Sequence, residues 1–306
     1  MKVSVILPTF NAEKYLIECL KSILYQTIED MEIICVDDFS TDKTRDILNE
    51  YKKFNNNIKI IENRKNLGAA FSRNEAVKKA KGEYIAFCDA DDIYPNPDSL
   101  KKMYNIAKRQ NADILIGSFS EYDSKNNKTI TNWENQPHLK DYKIQKEGEI
   151  IYKDWQSDIG WIRCLYRKEF LTKNKIEFPH LTRHEDPVFF VKALVKAKKI
   201  YGITDVVYQY RIFHKPLNLT SKNIEDAFKG IIDNTLIARQ YNLQKLEQWC
   251  LESLLWYASI SPEIVKVKEE NERQKEEIRA LKMKLDRKAY HFIDRLLKPY
   301  YLLKKN

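Results

Sequence analysis

Glycine and proline are scarce, at seven and nine in 306 residues, which excludes collagen-like and low-complexity chains. The glycine shortage also removes the usual phosphate cradles. The exit of the first apolar run, LPTFNAEKYL, contains no glycine, and neither GxGxxG nor GxxxxGK[ST] occurs where it would be needed. Cysteine gives no framework either. Cys19, Cys35, Cys88, Cys164 and Cys250 are odd in number, widely spaced and without a CxxC pair. They read as buried, reduced thiols of a cytosolic protein. No run reaches the ~18 apolar residues of a membrane span, and MKVSVILPTF is too short an apolar run for a signal peptide. Acidic residues are in deficit, 44 against 53 Lys and Arg, for a net charge of +9. Residues 287–306 hold six Lys or Arg and one Asp, so +5 of that charge lies in the last stretch. The basic excess therefore points to an anionic membrane surface contacted by 287–306. Basic residues cluster only there, and no nucleic-acid module is read.

What is present is alternation. Short Val- and Ile-rich runs at Val3–Leu7, Ile33–Val36, Ile58–Ile61, Tyr84–Phe87 and Ile114–Ile116 suit strands buried on both faces. Between them apolar residues recur at helical spacing, as in Leu16, Cys19, Leu20 and Ile23. A fourth helix is expected to start at Asn96-Pro97, a cap followed by a first-turn proline. The fold class is α/β, with a mostly parallel Rossmann-like sheet and helices on both sides. Residues 118–158 lose the rhythm and read as a loop-rich insertion. Trp161–Tyr166 and Val206–Tyr210 read as further strands, and 223–258 as helical.

In open α/β sheets ligands bind beyond the carboxyl ends of the strands. Three polar clusters fall there: Pro8-Thr9-Phe10-Asn11, Asp37-Asp38-Phe39-Ser40 and Asp89-Ala90-Asp91-Asp92. Carboxylates gathered at one sheet edge repel one another unless a cation joins them. Oxygen ligands with a partly open shell suit Mn²⁺ or Mg²⁺ carrying a diphosphate.

The order VSVILPTFN, VDDFSTDKT and NLGAAFSRNEAVKKAKGEYIAFCDADD resembles the family 2 glycosyltransferases with the glycosyltransferase A-type fold. The likeness is dense over residues 1–100 and continues more weakly through IRCLYRKEFL and HEDPVFF. It implies a nucleotide-sugar site built from Pro8, Thr9, Asn11, Asp38, Arg73, Asp89, Ala90 and Asp91. Thr9 and Asp38 would border the base, with Asp38 accepting from a uracil imide. Arg73 would approach the diphosphate or uridine, Asp89 the ribose, and Asp91 the metal, with Asp92 able to exchange roles with Asp91. The family's Glu-Asp motif falls at Glu185-Asp186, which makes Asp186 the catalytic base; His184 stands where many relatives have glycine. His214 is a candidate third metal ligand, as in some members of this fold class. Trp155 and Trp161 could stack on an acceptor sugar or pack in the core.

From Ile264 the sequence fits heptads, with Ile264, Val267, Asn271, Gln274, Ile278, Leu281 and Leu285 at a and d. Glu263, Glu270 and Glu277 then face Lys268, Lys275 and Lys282 across the seam of a parallel homodimer through 263–285. The expected domains are a catalytic domain over 1–220 (a nucleotide-sugar half, 1–117, and an acceptor half, 118–220) and a helical subdomain over 221–260. A coiled coil over 261–287 and a basic amphipathic tail over 288–306 follow. The reading is an inverting, metal-dependent glycosyltransferase, peripheral on the inner face of the cytoplasmic membrane. It moves a sugar from a nucleotide-sugar, UDP-linked, to a glycan or lipid-linked acceptor in surface polysaccharide synthesis. A nucleotidyltransferase would need a Gly-rich loop after the first strand, which is lacking. A non-enzymatic dimeric membrane scaffold would leave the Asp clusters idle.

Overall fold

The computed structural model describes residues 1–130, 143–214 and 220–260. The heptads of 263–285 and the basic tail of 287–306 lie outside the described residues.

The apolar runs become strands β1 (Val3–Thr9), β2 (Met31–Asp37), β3 (Ile58–Glu62) and β4 (Tyr84–Phe87). They pair in parallel in the order β3-β2-β1-β4. Helices α1 (Leu16–Leu24), α2 (Thr44–Phe54) and α3 (Ala69–Lys79) connect them. In α1 the residues turned inward are Leu16, Cys19, Leu20 and Ile23, which the 3.6-residue period places on one face. Each such buried aliphatic side chain contributes ~1.5–3 kcal/mol. Helix α4 (Ser99–Gln110) begins two residues after Pro97, because Asn96 first closes a turn: its side-chain oxygen accepts from the Asp98 amide at 2.9 Å.

Beyond β4 the sheet is mixed. Strand β8 (Cys164–Arg167) runs antiparallel between β4 and β5 (Ile114–Asp123). Parallel to β5 lies β9 (Ile200–Ile212). The short β6 (Lys128–Ile130) pairs with β5 and β7 (Gly148–Glu149) with β9. The expectation of a loop from residue 118 is thus corrected for 118–123, which continue β5. Ser118, Ser120 and Asp123 are buried polar residues there, so the apolar pattern that marks a strand is missing. Trp161–Tyr166 is likewise divided, a 3-10 turn at Trp161–Arg163 followed by β8. The turn follows Gly160 at φ +89°, against which the Arg163 side chain packs.

The chain then forms α5 (Tyr152–Trp155), α6 (Lys168–Lys173) and α7 (Glu185–Lys196), and ends its described part in α8 (Ser221–Tyr241) and α9 (Gln244–Ile260). The last two are the helices expected over 223–258. Among the described residues no helix is long and apolar enough to cross a membrane.

The β5–β9 register shifts at Gly117, where a Cβ would stand 2.3 Å from Val207 Cγ2. Gly117→Ala should therefore lower the urea midpoint by the equivalent of about 1–3 kcal/mol. Adding Val207→Ala should return part of that loss, because the two methyl groups compete for one space.

Candidate active site

The three strand-end clusters meet along one edge of a cleft of about 860 Å³. The loops after β1 and β2 are laced together. Asn11 takes a left-handed backbone (φ +47°), its amide donates to Ser40 Oγ, and its side-chain oxygen accepts from the Thr41 amide at 2.9 Å. Thr9 is buried, and its carbonyl accepts from the Asp38 amide. The Asp38 carboxylate accepts from Asn63 Nδ2 at 2.7 Å and from the Leu67 and Gly68 amides at 2.9 and 2.7 Å. It thereby holds the loop that leads to α3 as well as walling the cleft. Gly68 at φ +87° makes the turn that brings those amides round.

At the end of β4 the three aspartates separate. Asp89 and Asp91 face the cleft with Ala90 between them. Asp92 is buried and turned away, which corrects the expectation that it could stand in for Asp91 as a metal ligand. Its oxygens accept from Tyr208 Oη at 2.8 Å and the Arg211 amide at 2.7 Å. Burial, with Asp89 and Asp91 nearby, pushes its carboxyl well above the usual carboxylate range. Arg211 completes the hold on this turn by donating from Nε to the Asp91 carbonyl at 2.7 Å, while Nη2 meets Glu18 at 2.6 Å.

His214, two residues past β9, brings Nε2 to 2.8 Å from Asp91 Oδ2, with the Tyr15 ring edge-on beside it. These two side chains fit a divalent cation. Both wall the cleft, and among the described residues no group of three or more ligating side chains forms. A shell of two protein donors leaves positions for phosphate oxygens and water, as hard divalent cations at phosphate sites require.

Arg73 is nearly wholly buried, stacked 4.6 Å over the Trp161 ring and 5.2 Å over Phe178. Its Nη2 donates to Asp89 Oδ1 at 2.8 Å and its Nη1 to Glu185 Oε1 at 3.2 Å. Arg73 also walls the cleft, where the expected cation at the diphosphate or uridine would stand, with both terminal nitrogens already on carboxylates. Burial disfavours its charge, but Asp89, Glu185 and Asp186 outweigh that and raise its pKa above the ordinary value. The contact also settles where Trp161 belongs: it is buried beneath Arg73 and packs on Phe87 and Phe178.

Asp186 follows Glu185 in the first turn of α7 and is absent from the cleft wall, whereas Arg183 is part of it. Burial and the neighbouring Glu185 charge push the Asp186 carboxyl up to about 7, against the pull of Arg73. Cleft residues not singled out in the sequence include Glu121, Tyr210, Arg211 and Phe213. Their only sequence signal is position, close to the carboxyl ends of β5 and β9.

The sequence model described as glycosyl transferase family 2 matches residues 4–173, more than half of the chain. The chain belongs to that family. It is 38% identical over 216 residues to a poly(ribitol-phosphate) beta-glucosyltransferase of Bacillus spizizenii, covering 69% of this chain but 32% of that protein. With glycosyltransferase GlyG of Streptococcus pneumoniae it shares 30% identity over 247 residues, 77% of this chain and 81% of the relative. Among solved structures, S. aureus TarS 1–349 in complex with UDP-GlcNAc superposes with a TM-score of 0.67 at 26% identity, over 85% of this chain and 72% of that one. The mixed sheet and its helices are thus those of the family's glycosyltransferase A-type fold. Glu185-Asp186, α8 and α9 all lie beyond the matched residues 4–173.

Replacing Arg73 by Met keeps most of the stem over Trp161 and strands two carboxylates. Arg73→Met should cost about 3 kcal/mol in urea unfolding, whereas exposed Lys78→Met, which loses only an i,i+3 surface pair, should cost under about 1 kcal/mol.

Proposed function

We propose that the chain is an inverting glycosyltransferase that moves a sugar from a UDP-sugar to a hydroxyl of a surface-glycan or lipid-linked acceptor. The observation that carries this reading is the convergence of Asp38, Asp89, Asp91 and His214 on one cleft, with the Glu185-Asp186 motif tied to it through Arg73. Two relatives support the donor and acceptor classes. One is named for glucosyl transfer to poly(ribitol-phosphate), and the solved structure of another holds UDP-GlcNAc.

In this reading Thr9 and Asp38 flank the base and Asp89 meets the ribose. Asp91 and His214 would hold Mn²⁺ or Mg²⁺, which would offset the charge of the diphosphate as a Lewis acid. Asp186 accepts the proton of the acceptor hydroxyl while that oxygen attacks the anomeric carbon. UDP leaves from the opposite face with the electron pair of the broken C–O bond, so the configuration inverts. A carboxylate raised towards neutrality is matched to this task, because a base works best with its pKa near the operating pH. Outside the described residues, the heptads of 263–285 support a parallel homodimer, and the basic run 287–306 supports attachment to an anionic membrane.

The test is UDP release from UDP-glucose and UDP-N-acetylglucosamine with Mn²⁺, with and without EDTA. Turnover of at least one donor is expected, abolished by chelator and restored by Mn²⁺ or Mg²⁺; full turnover in EDTA contradicts the metal assignment. Asp186→Asn should lower kcat by roughly 10²-fold or more with donor KM little changed. The base must be ionised to act, so kcat/KM should fall as pH drops through about 7, the value to which burial and Glu185 raise Asp186. A limb near the ordinary carboxylate value of about 4 would place the base elsewhere.

A further inference from the structure

Helices α8 and α9 contribute no wall to the cleft and lie beyond the residues the family model matches. Yet the three residues ahead of Glu185-Asp186 are each fastened to them. The Thr182 amide and hydroxyl both donate to Asp226 Oδ2, at 3.1 and 2.9 Å. Arg183 donates from Nε to Tyr257 Oη at 3.0 Å. The His184 ring stands edge-on to Tyr257, and its Cβ and carbonyl oxygen lie so close to Gly230 that a Cβ there would approach each to 3.0 Å.

Two features show that this fastening bears on backbone placement. His184 adopts φ +66°, ψ +15°, a left-handed conformation that costs a non-glycine residue ~1–2 kcal/mol. Such a conformation persists only where the surroundings over-determine it. It is also the conformation from which the chain enters α7, so it sets the direction in which Glu185 and Asp186 leave the turn. Asp226 is itself fixed: it is buried, and Lys222 meets its Oδ1 at 2.8 Å. Against burial, the hydrogen bonds from Lys222 and Thr182 hold its carboxyl down at about 2, so this anchor stays ionised.

We propose that Asp226, Gly230 and Tyr257 are positioning residues for the base, and that the α8–α9 pair sets where Asp186 stands relative to the cleft. The proposal rests on the assignment of Asp186 above. Its logic is geometric. The residues assigned to the donor (Thr9, Asp38, Asp89, Asp91 and His214) follow β1, β2, β4 and β9, and Arg183, a cleft residue tied to α9, is not among them; the turn carrying the base has its three preceding residues tied to those helices. Loosening them should therefore damage proton transfer and spare donor binding. A misplacement of about 1 Å at a reacting group costs up to about 10²-fold in rate.

The experiment uses the full chain and whichever of UDP-glucose and UDP-N-acetylglucosamine it turns over. The UDP release rate is divided by the UDP-binding stoichiometry from calorimetry, so that unfolded protein does not count. Tyr257→Phe keeps the ring on His184 and removes only the bond to Arg183. Gly230→Ala presses a methyl group on His184, and adding His184→Gly removes the side chain it meets. Asp186→Asn is the control.

For Tyr257→Phe and Gly230→Ala we expect kcat per UDP site to fall about tenfold or more, with donor KM within about twofold of the parent. The acid limb of kcat/KM should also move, because Asp186 shifts relative to Glu185 on its own helix, Arg73 on α3, Asp89 after β4, Tyr166 on β8 and Tyr210 on β9, the groups that act on it or feel its charge. The Gly230→Ala, His184→Gly pair should regain part of the lost rate. If Gly230→Ala fails to fold, Tyr257→Phe decides alone. Unchanged kcat per site and an unmoved limb, with Asp186→Asn inactive, overturn the positioning role while leaving the base in place. Normal turnover in Asp186→Asn overturns the base assignment and this proposal with it.

Discussion

One buried guanidinium joins the two halves of this site. Arg73 lies on the rings of Trp161 and Phe178 and reaches Asp89 at the end of β4 and Glu185 at the start of α7, residues separated by nearly a hundred positions in the chain. A cation removed from water to this degree carries a penalty of several kcal/mol, which is offset only if its partners are close and well aimed. Neither carboxylate can drift without exposing that penalty. The Asp motif that walls the cleft and the Glu-Asp motif that opens α7 are therefore set in one electrostatic frame.

The packing under Arg73 makes the frame stiff. Phe178 and Phe189 stack at 3.9 Å and 6°, and Trp161, Tyr166 and Phe87 close around them edge-on. Such arrangements contribute about 0.5–1.5 kcal/mol per pair beyond burial, and they connect β4, β8 and α7 directly. Polar fastening does the same work at the cleft's other margins. Asp38 gathers three donors from the loop before α3, and Arg211 and Tyr208 fix the aspartate turn from β9. With no glycine cradle after β1, the chain relies on carboxylates whose positions are fixed by partners rather than on a preformed nest of amides.

Much of this was legible in the sequence where local pattern governs. Strands β1 to β4 and helices α1 to α3 follow from apolar runs and helical spacing, and the polar clusters at strand ends named Thr9, Asp38, Asp89 and Asp91 as neighbours in space. What was not legible depends on partners distant in the chain. Asp89, Asp91 and Asp92 are chemically alike, and only Tyr208 and Arg211 on β9 decide that Asp92 turns inward. Arg73 reads as a free cation until Glu185 and Trp161 are placed against it. The polar residues of β5 hide a strand because their partners lie elsewhere: Ser120 accepts from Gln209 on β9, and Asp123 accepts from the Lys125 and Asn126 amides of the turn that follows. Nothing next to His184 in the sequence marks its left-handed conformation; Gly230 and Tyr257, which pack against it, are distant in the chain.

The proposed division of labour within one frame has Asp91 serving the donor diphosphate and Asp186 serving proton transfer. Calorimetric titration of UDP in Mn²⁺ and in EDTA, with the parent chain, Asp91→Asn and Asp186→Asn, tests it directly. The account predicts that Mn²⁺ tightens UDP binding to the parent and to Asp186→Asn alike, and that Asp91→Asn loses this increment while keeping the weaker metal-free binding. Equal UDP affinity with and without Mn²⁺ in the parent, or loss of the increment in Asp186→Asn with its retention in Asp91→Asn, would contradict it.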